Sequence, residues 1–243
     1  MMKSYSPVMR LPRKLMRTLA GFFILFGACS STCLAAGGFG LGVTRLIYPA
    51  ESTQVALNVQ NGGEKNSYLI QSWVDESETN KKSQDFVVTP PLFMLPTRKA
   101  ASLRIMFVGQ KNLPTDRETL YWMNVKAIPP TDEQNTEKNT LQLALQNRIK
   151  LFYRPEHLSV QPGKAKDMLR FRFTGNQLKI TNPSPYYITL TGIKMGNTKL
   201  PNSFIAPKSD AFVALAVPAG GEITFQTIND FGATTARQKA TMQ

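Results

Sequence analysis

The chain has 243 residues, 42% of them hydrophobic, and a formal net charge of +13. The basic excess favours acidic partners or anionic surfaces, but it is not gathered into one Lys/Arg run, which argues against nucleic-acid binding. Both cysteines lie within the first 36 residues, and the rest of the chain holds a single histidine, His157, too little for a metal cluster of the His/Cys type.

The first 36 residues read as a secretory signal peptide. Lys3, Arg10, Arg13, Lys14 and Arg17 form a basic start, and Leu19 to Ala28 is an apolar core too short to span a bilayer stably. Small residues follow, with Cys33-Leu34-Ala35 or Leu34-Ala35-Ala36 as the cleavage tripeptide. The long basic start leaves Met9 and Met16 open as alternative first residues. Cys29 after Phe26-Gly27-Ala28 leaves a lipoprotein alternative, though the Leu usual three residues before such a cysteine is missing. With the leader go both cysteines and five of the 29 basic residues. The remaining 24 stand against 16 acidic ones, a net charge of +8. An exported chain without disulfides must rely on core burial. No later apolar run approaches a membrane span.

Nearly every later segment reads as a short strand bounded by Gly, Pro, Asn or Ser. Leu41 to Ile47 and Val55 to Val59 come first, the second ended by Asn61-Gly62-Gly63. Tyr68 to Val74 alternates, and Asp75 to Asp85 is a polar surface loop. Phe86 to Val88 and Leu92 to Leu95 flank Thr89-Pro90-Pro91, where missing amide donors predict an edge or a crossover. Ser102 to Val108 and Leu120 to Ile128 follow, stopped by Pro129-Pro130, and Thr131 to Asn139 is a polar loop.

Thr140 to Pro155, TLQLALQNRIKLFYRP, is the longest strand-like stretch. Leu141, Leu143 and Leu145 alternate with polar or small residues, a period of two. The pattern breaks at Asn147 and Arg148 and resumes as an apolar segment containing Lys150 and Arg154. Sixteen extended residues would reach roughly 50 Å, well beyond a typical strand. Such a strand is either an ordinary long core strand or one that serves two domains or two molecules. Beyond Pro155, strands are predicted over Leu169 to Phe173, Gln177 to Thr181, Tyr186 to Leu190, Phe212 to Val217 and Glu222 to Thr227. No dozen-residue window has a clean helical period, so the chain is all-β. Its strand count and length predict two sandwiches, with a boundary near Arg154 to His157.

Catalytic chemistry is missing. The lone mature histidine, His157, lies beside the boundary with no nucleophile motif near it. Asp75, Glu76 and Glu78 are close in sequence but read as a solvated turn. No Gly-rich phosphate loop follows a strand and opens a helix. The chain is therefore expected not to be an enzyme, and no cofactor or metal is implied.

LPTDRETLYWMNVKAIPP (Leu113 to Pro130) and the LQLALQNRIKLFYRP that follows Asn139 and Thr140 resemble the signature region of the periplasmic pilus (fimbrial) assembly chaperones of the chaperone–usher pathway. Val43-Thr44-Arg45, TNPSPYYIT (Thr181 to Thr189) and Ile228-Asn229-Asp230-Phe231-Gly232 match in the same order. The resemblance implies two immunoglobulin-like β-sandwich domains set at an angle with a cleft between them, residues 37–155 and 156–243 after the leader 1–36. It implies a periplasmic chaperone that caps pilus subunits by lending a strand and hands them to an outer-membrane usher. A transient self-association at rest is left open.

By the same resemblance, Leu141, Leu143 and Leu145 are donor-strand knobs, and Arg45 and Lys150 hold the C-terminal carboxylate of the subunit. Glu118, Arg154 and Asp230 form a charged trio linking the domains. Arg104 matches a recurrent basic position without an assigned role. Simple alternation puts Lys150 on the face opposite the three leucines. The short loop Thr131 to Asn139 is similar to that of the short-loop branch. The alternative from another class is a structural pilus subunit or adhesin domain. Such subunits usually carry a disulfide and an aromatic-rich C-terminal segment, whereas this chain ends Lys239-Ala240-Thr241-Met242-Gln243.

Overall fold

A computed structural model describes residues 38–79, 81–109, 113–130, 143–216, 218 and 220–243. The leader, the Thr131 to Asn139 loop and Leu141 lie outside the described residues. Seventeen strands are assigned among the described residues: β1 (Phe39–Leu41), β2 (Arg45–Pro49), β3 (Val55–Asn61), β4 (Tyr68–Glu76), β5 (Phe86–Thr89), β6 (Leu92–Leu95), β7 (Lys99–Phe107), β8 (Thr119–Ile128), β9 (Leu145–Arg154), β10 (Arg170–Thr174), β11 (Gln177–Asn182), β12 (Ile188–Met195), β13 (Thr198–Lys199), β14 (Ser203–Ile205), β15 (Ser209–Ala214), β16 (Ile223–Thr227) and β17 (Gln238–Lys239).

Strands β1 to β9 make the first sandwich. One sheet runs β1-β3-β7-β5 and the other β2-β9-β8-β4-β6. Alternation places one face of each sheet inward: Leu57, Val59, Leu103 and Ile105 from the first sheet meet Ile70, Val74, Met123, Val125 and Leu151 from the second. The chain crosses between the sheets at Thr89-Pro90-Pro91, joining edge strand β5 to edge strand β6. The Thr89–Pro90 bond is cis. Prolines are accommodated there because an edge or a crossover does not call on every amide donor.

Strands β10 to β17 make the second sandwich, with β10-β11-β15 facing β13-β12-β16-β17, and β14 added to β12. Phe171, Leu178, Ile180 and Val213 pack there against Leu190, Ile193, Ile223 and Phe225. The fold is thus two immunoglobulin-like β-sandwiches with separate cores.

Several expectations are corrected. The strand foreseen over Leu41 to Ile47 is two strands in different sheets, because Gly42 to Thr44 carries the chain from one sheet to the other. The loop Asp75 to Asp85 is not all surface. Ser83 and Asp85 are buried, and Asp85 accepts a 2.8 Å hydrogen bond from the Tyr121 hydroxyl. Strand β12 runs on to Met195, past a register shift between Thr191 and Lys194, where Gly192 takes φ +56°. The short β13, β14 and β17 and a 3-10 turn at Pro162–Met168 were not foreseen. Among the described residues, no helix is long and apolar enough to cross a membrane.

Candidate functional site

Strand β9 positions most of the candidate residues. It pairs antiparallel with β8 from Thr119↔Tyr153 to Ala127↔Leu145 without a register shift, so its faces alternate strictly. Asn147 and Arg148 do not interrupt it: within a continuous ladder Asn147 stands in the row of Leu145 and Ile149, and Arg148 on the face of Lys150. Ile149, Leu151 and Tyr153 point into the first core. Leu145 continues that face at the strand's end but is 50% exposed, and Leu143 just before the strand is 68% exposed. The leucine row therefore prolongs the core face past the point where the sandwich covers it. Leu141 lies outside the described residues.

Lys150, Phe152 and Arg154 occupy the opposite face. Strand β2 runs parallel to β9, with Arg45 registered on Lys150, which places the two cations on neighbouring strands. Arg45 is buried, and its Nη1 donates to the Ile228 carbonyl at 3.3 Å. Its Nε is buried without a hydrogen-bond partner among the described residues. Burial pushes the Arg45 guanidinium down from its ordinary value, against the pull of Asp230 and Glu118. Burial, and then the charge of Arg45, likewise push the Lys150 ammonium down. Lys150 makes no ion pair among the described residues. It lies 4.3 Å from the ring centre of Phe204 and 5.8 Å from that of Trp122.

Arg154, at the end of β9, brings Glu118 and Asp230 together. Its Nε and Nη2 reach Glu118 Oε1 at 2.8 and 2.7 Å. Its Nη1 and Nη2 meet both Asp230 oxygens at 2.7 and 2.9 Å. This is the fork geometry that a guanidinium supplies and an ammonium does not. Glu118 is only 3% exposed, and its Oε2 also accepts the Tyr187 N–H at 2.8 Å. Burial raises the Glu118 carboxyl, while Arg154 and the Tyr187 N–H pull it back. Its oxygens thus accept two hydrogen bonds, from Arg154 Nε and the Tyr187 N–H, with Arg154 Nη2 in ion-pair contact beside them, the kind of partners that favour a carboxylate.

The loop carrying Asp230 is built by its neighbours. Asn229 Oδ1 accepts the N–H groups of Phe231 and Ala233, closing a side-chain-capped turn. Gly232 sits at φ +82° directly against Thr44, where a Cβ would collide with the Thr44 hydroxyl. That contact sets the Asp230 loop beside Arg45. A pocket of about 270 Å³ is lined there by Arg45, Glu118, Arg154, Tyr186, Asn229 and Asp230.

Sequence reasoning missed two groups of residues. Lys208 pairs with Asp116, and the Glu118 N–H donates to the Pro185 carbonyl at 2.9 Å. These tie β8's lead-in to the second sandwich beside the Arg154 fork. The other group is aromatic: Tyr187 stacks on Phe204 at 5.3 Å and 13°, and Phe152 packs tilted against both. Tyr187 lies within the TNPSPYYIT stretch, but nothing in the sequence links Phe204 to Lys150, 54 positions away.

Comparison with known proteins gives a consistent answer. Residues 38–159 match the family model "Pili and flagellar-assembly chaperone, PapD N-terminal domain", and residues 164–239 match "Pili assembly chaperone PapD, C-terminal domain". The chain is 45% identical over 225 residues to Chaperone protein FimC of Escherichia coli strain K12, covering 93% of this chain and 92% of that one. The crystal structure of the periplasmic chaperone SfaE superposes with a TM-score of 0.75 at 42% identity, covering 85% of this chain and all of that one. The structure of the Salmonella enterica SafA pilin in complex with the SafB chaperone matches with a TM-score of 0.76 at 32% identity, covering 84% of this chain and 96% of that one. The family's work is assembly and not catalysis, in keeping with the absence of catalytic motifs. With both family models matched in order across its two sandwiches, this chain belongs to the PapD-like periplasmic chaperones of the chaperone–usher pathway, in their short-loop, FimC-like branch.

Proposed function

We propose that this chaperone caps a pilus subunit by adding the first half of β9, which β2 does not pair, to the subunit's incomplete sandwich, and passes it to an outer-membrane usher. The observation that carries the mechanism is the pair Arg45 and Lys150, set side by side across β2 and β9, with a buried Nε and an ammonium that lack anionic partners among the described residues. A C-terminal carboxylate bound there gains charge-assisted hydrogen bonds from both cations and fixes the register of the strand it ends. Leu143 and Leu145, with Leu141 before them, then enter successive pockets of the subunit. Each buried leucine contributes roughly 1.5–3 kcal/mol before ordering costs. Strand addition also covers an edge that would otherwise seed aggregation, the recognition mode of which chaperone–pilin complexes are themselves an instance. The SafA–SafB complex supports the reading, since its chaperone shares this fold and holds a pilin.

Residues 37–155 form the domain that lends the strand and residues 156–243 the second domain, with Arg154 joining them through Glu118 and Asp230. The leader 1–36 directs export and is cleaved near Ala35 or Ala36. The test is co-expression with candidate pilins in the periplasm. The native chain accumulates soluble complexes, whereas Arg45→Ala/Lys150→Ala does not. Equal accumulation with the double variant would sink the anchor mechanism.

A further inference from the structure

Lys150 is a partly buried cation whose contacts are unusual. The rings nearest it come one from each sandwich: Phe204 on β14 at 4.3 Å, and Trp122 on β8 at 5.8 Å, its cross-strand partner. The charged and titratable groups around it are Arg45 on β2, Arg148 two residues along β9 and Tyr187 stacked behind Phe204. Glu118 and Asp230, the acids that act on Arg45, are engaged by Arg154. Arg148 is itself stacked over Trp122 at 4.5 Å.

We propose that Phe204 is a positioning residue for the capture of a pilin: with Trp122 it brackets the Lys150 ammonium, holding it in place by cation–π contact where another protein would use an acid. The inference rests on the anchor role of Lys150 argued above. An acid at this position would also hold the ammonium, but the incoming carboxylate would have to displace it. An aromatic face attracts the charge through its quadrupole while leaving the N–H donors free to bond an arriving anion. Phe204 is suited to this because its ring packs with those of Tyr187 and Phe152, at 5.3 and 6.4 Å, while it remains 36% exposed, a large apolar group left at the surface beside the charge.

The test replaces the ring without removing its bulk. Phe204→Leu, Phe204→Tyr and Lys150→Ala are compared with the native full chain by two readouts. The first is the titration of the Lys150 side chain followed by NMR. The second is affinity for a synthetic peptide with the sequence of a pilin's C-terminal strand, as the free acid and as the amide. In Phe204→Leu the desolvating bulk remains and the quadrupole is lost, so the Lys150 pKa falls further below its native value. The free-acid peptide binds about two- to five-fold more weakly while the amide is unchanged. Phe204→Tyr, which keeps the aromatic face, restores both readouts, whereas a role of apolar bulk alone would leave Phe204→Leu like the native chain. If Phe204→Leu titrates and binds like the native chain while Lys150→Ala abolishes the preference for the free acid, the bracket is refuted and the anchor stands. If Lys150→Ala keeps that preference, Lys150 has no part in the anchor and the bracket falls with it, whereas loss of the preference only in Arg45→Ala/Lys150→Ala leaves the anchor to Arg45.

Discussion

Replacing Arg154 with Met is the sharpest test of the charged joint. The side chain keeps its volume but leaves Glu118, 3% exposed, with only the Tyr187 N–H as a partner. Removing one member of a buried ion pair costs about 3–5 kcal/mol, because the other charge stays uncompensated. The Asp230 arm adds little, since that carboxylate is more than a third exposed and such pairs contribute about 1 kcal/mol or less. A loss of about 3 kcal/mol lowers a urea midpoint by about 1.5 M if the slope is about 2 kcal/mol/M. Trp73 and Trp122 report unfolding of the first sandwich by fluorescence, and circular dichroism reports both.

The sign of the pH dependence is a further check. Burial already raises Glu118, and Arg154 is the main influence pulling it down. In Arg154→Met its folded pKa rises further above the unfolded one. The penalty is then fully present above the folded value and is relieved as pH falls through it. Adding Glu118→Met to Arg154→Met removes the orphaned charge and should recover most of the loss. A double variant that is less stable than Arg154→Met alone would refute the reasoning, because it would show that Glu118 contributes packing and not an uncompensated charge.

Three other outcomes follow from the same geometry. Tyr48→Phe removes a hydroxyl that donates to the Ser52 carbonyl at 2.8 Å and accepts the Phe107 N–H at 3.0 Å, so it destabilises the first sandwich by about 1–2 kcal/mol in urea unfolding. Leu143→Glu, at a position 68% exposed, changes the stability of the free chain by no more than about 0.5 kcal/mol yet abolishes pilin binding in a pull-down; unfolding of this variant would show that Leu143 is core. Capture also depends on pH. The free Lys150 ammonium is held low by burial and Arg45, and a bound carboxylate raises it again, so binding takes up a proton. Affinity measured by calorimetry is therefore full below the free-state Lys150 value and falls as pH rises through it. It falls separately in acid, as the partner carboxyl protonates near its ordinary value of about 3.5.

The sandwich class was legible because period-two alternation and turn residues are local signals, and Leu57, Val59, Ile70 and Val74 advertise their inward face directly. The Thr89-Pro90-Pro91 crossover was legible for a similarly local reason: proline cannot donate to a ladder. What the sequence concealed was set by distant contacts. Asp85 reads as one more loop acid, yet it is buried because the Tyr121 hydroxyl, 36 residues away, finds it. Strand β14 is three residues long and owes its existence to pairing with β12, so no window over Ser203 to Ile205 could reveal it. Of the site, the positions of Arg45, Lys150, Glu118, Arg154 and Asp230 came from a family resemblance; periodicity alone showed only a two-faced strand. The structure adds the geometry, a parallel Arg45–Lys150 register and a forked Arg154. It also adds Phe204, whose proximity to Lys150 depends on how the two sandwiches meet.

The most direct test of the central claim is the affinity of the native chain for a peptide from the C-terminal strand of a pilin, measured by calorimetry with a free carboxylate and with an amide at its end. A carboxylate anchored by Arg45 and Lys150 makes the free acid bind at least about ten-fold more tightly, given charge-assisted bonds of about 1.5–3 kcal/mol. That difference disappears in Arg45→Ala/Lys150→Ala. Equal affinity for the two peptides in the native chain would contradict the account.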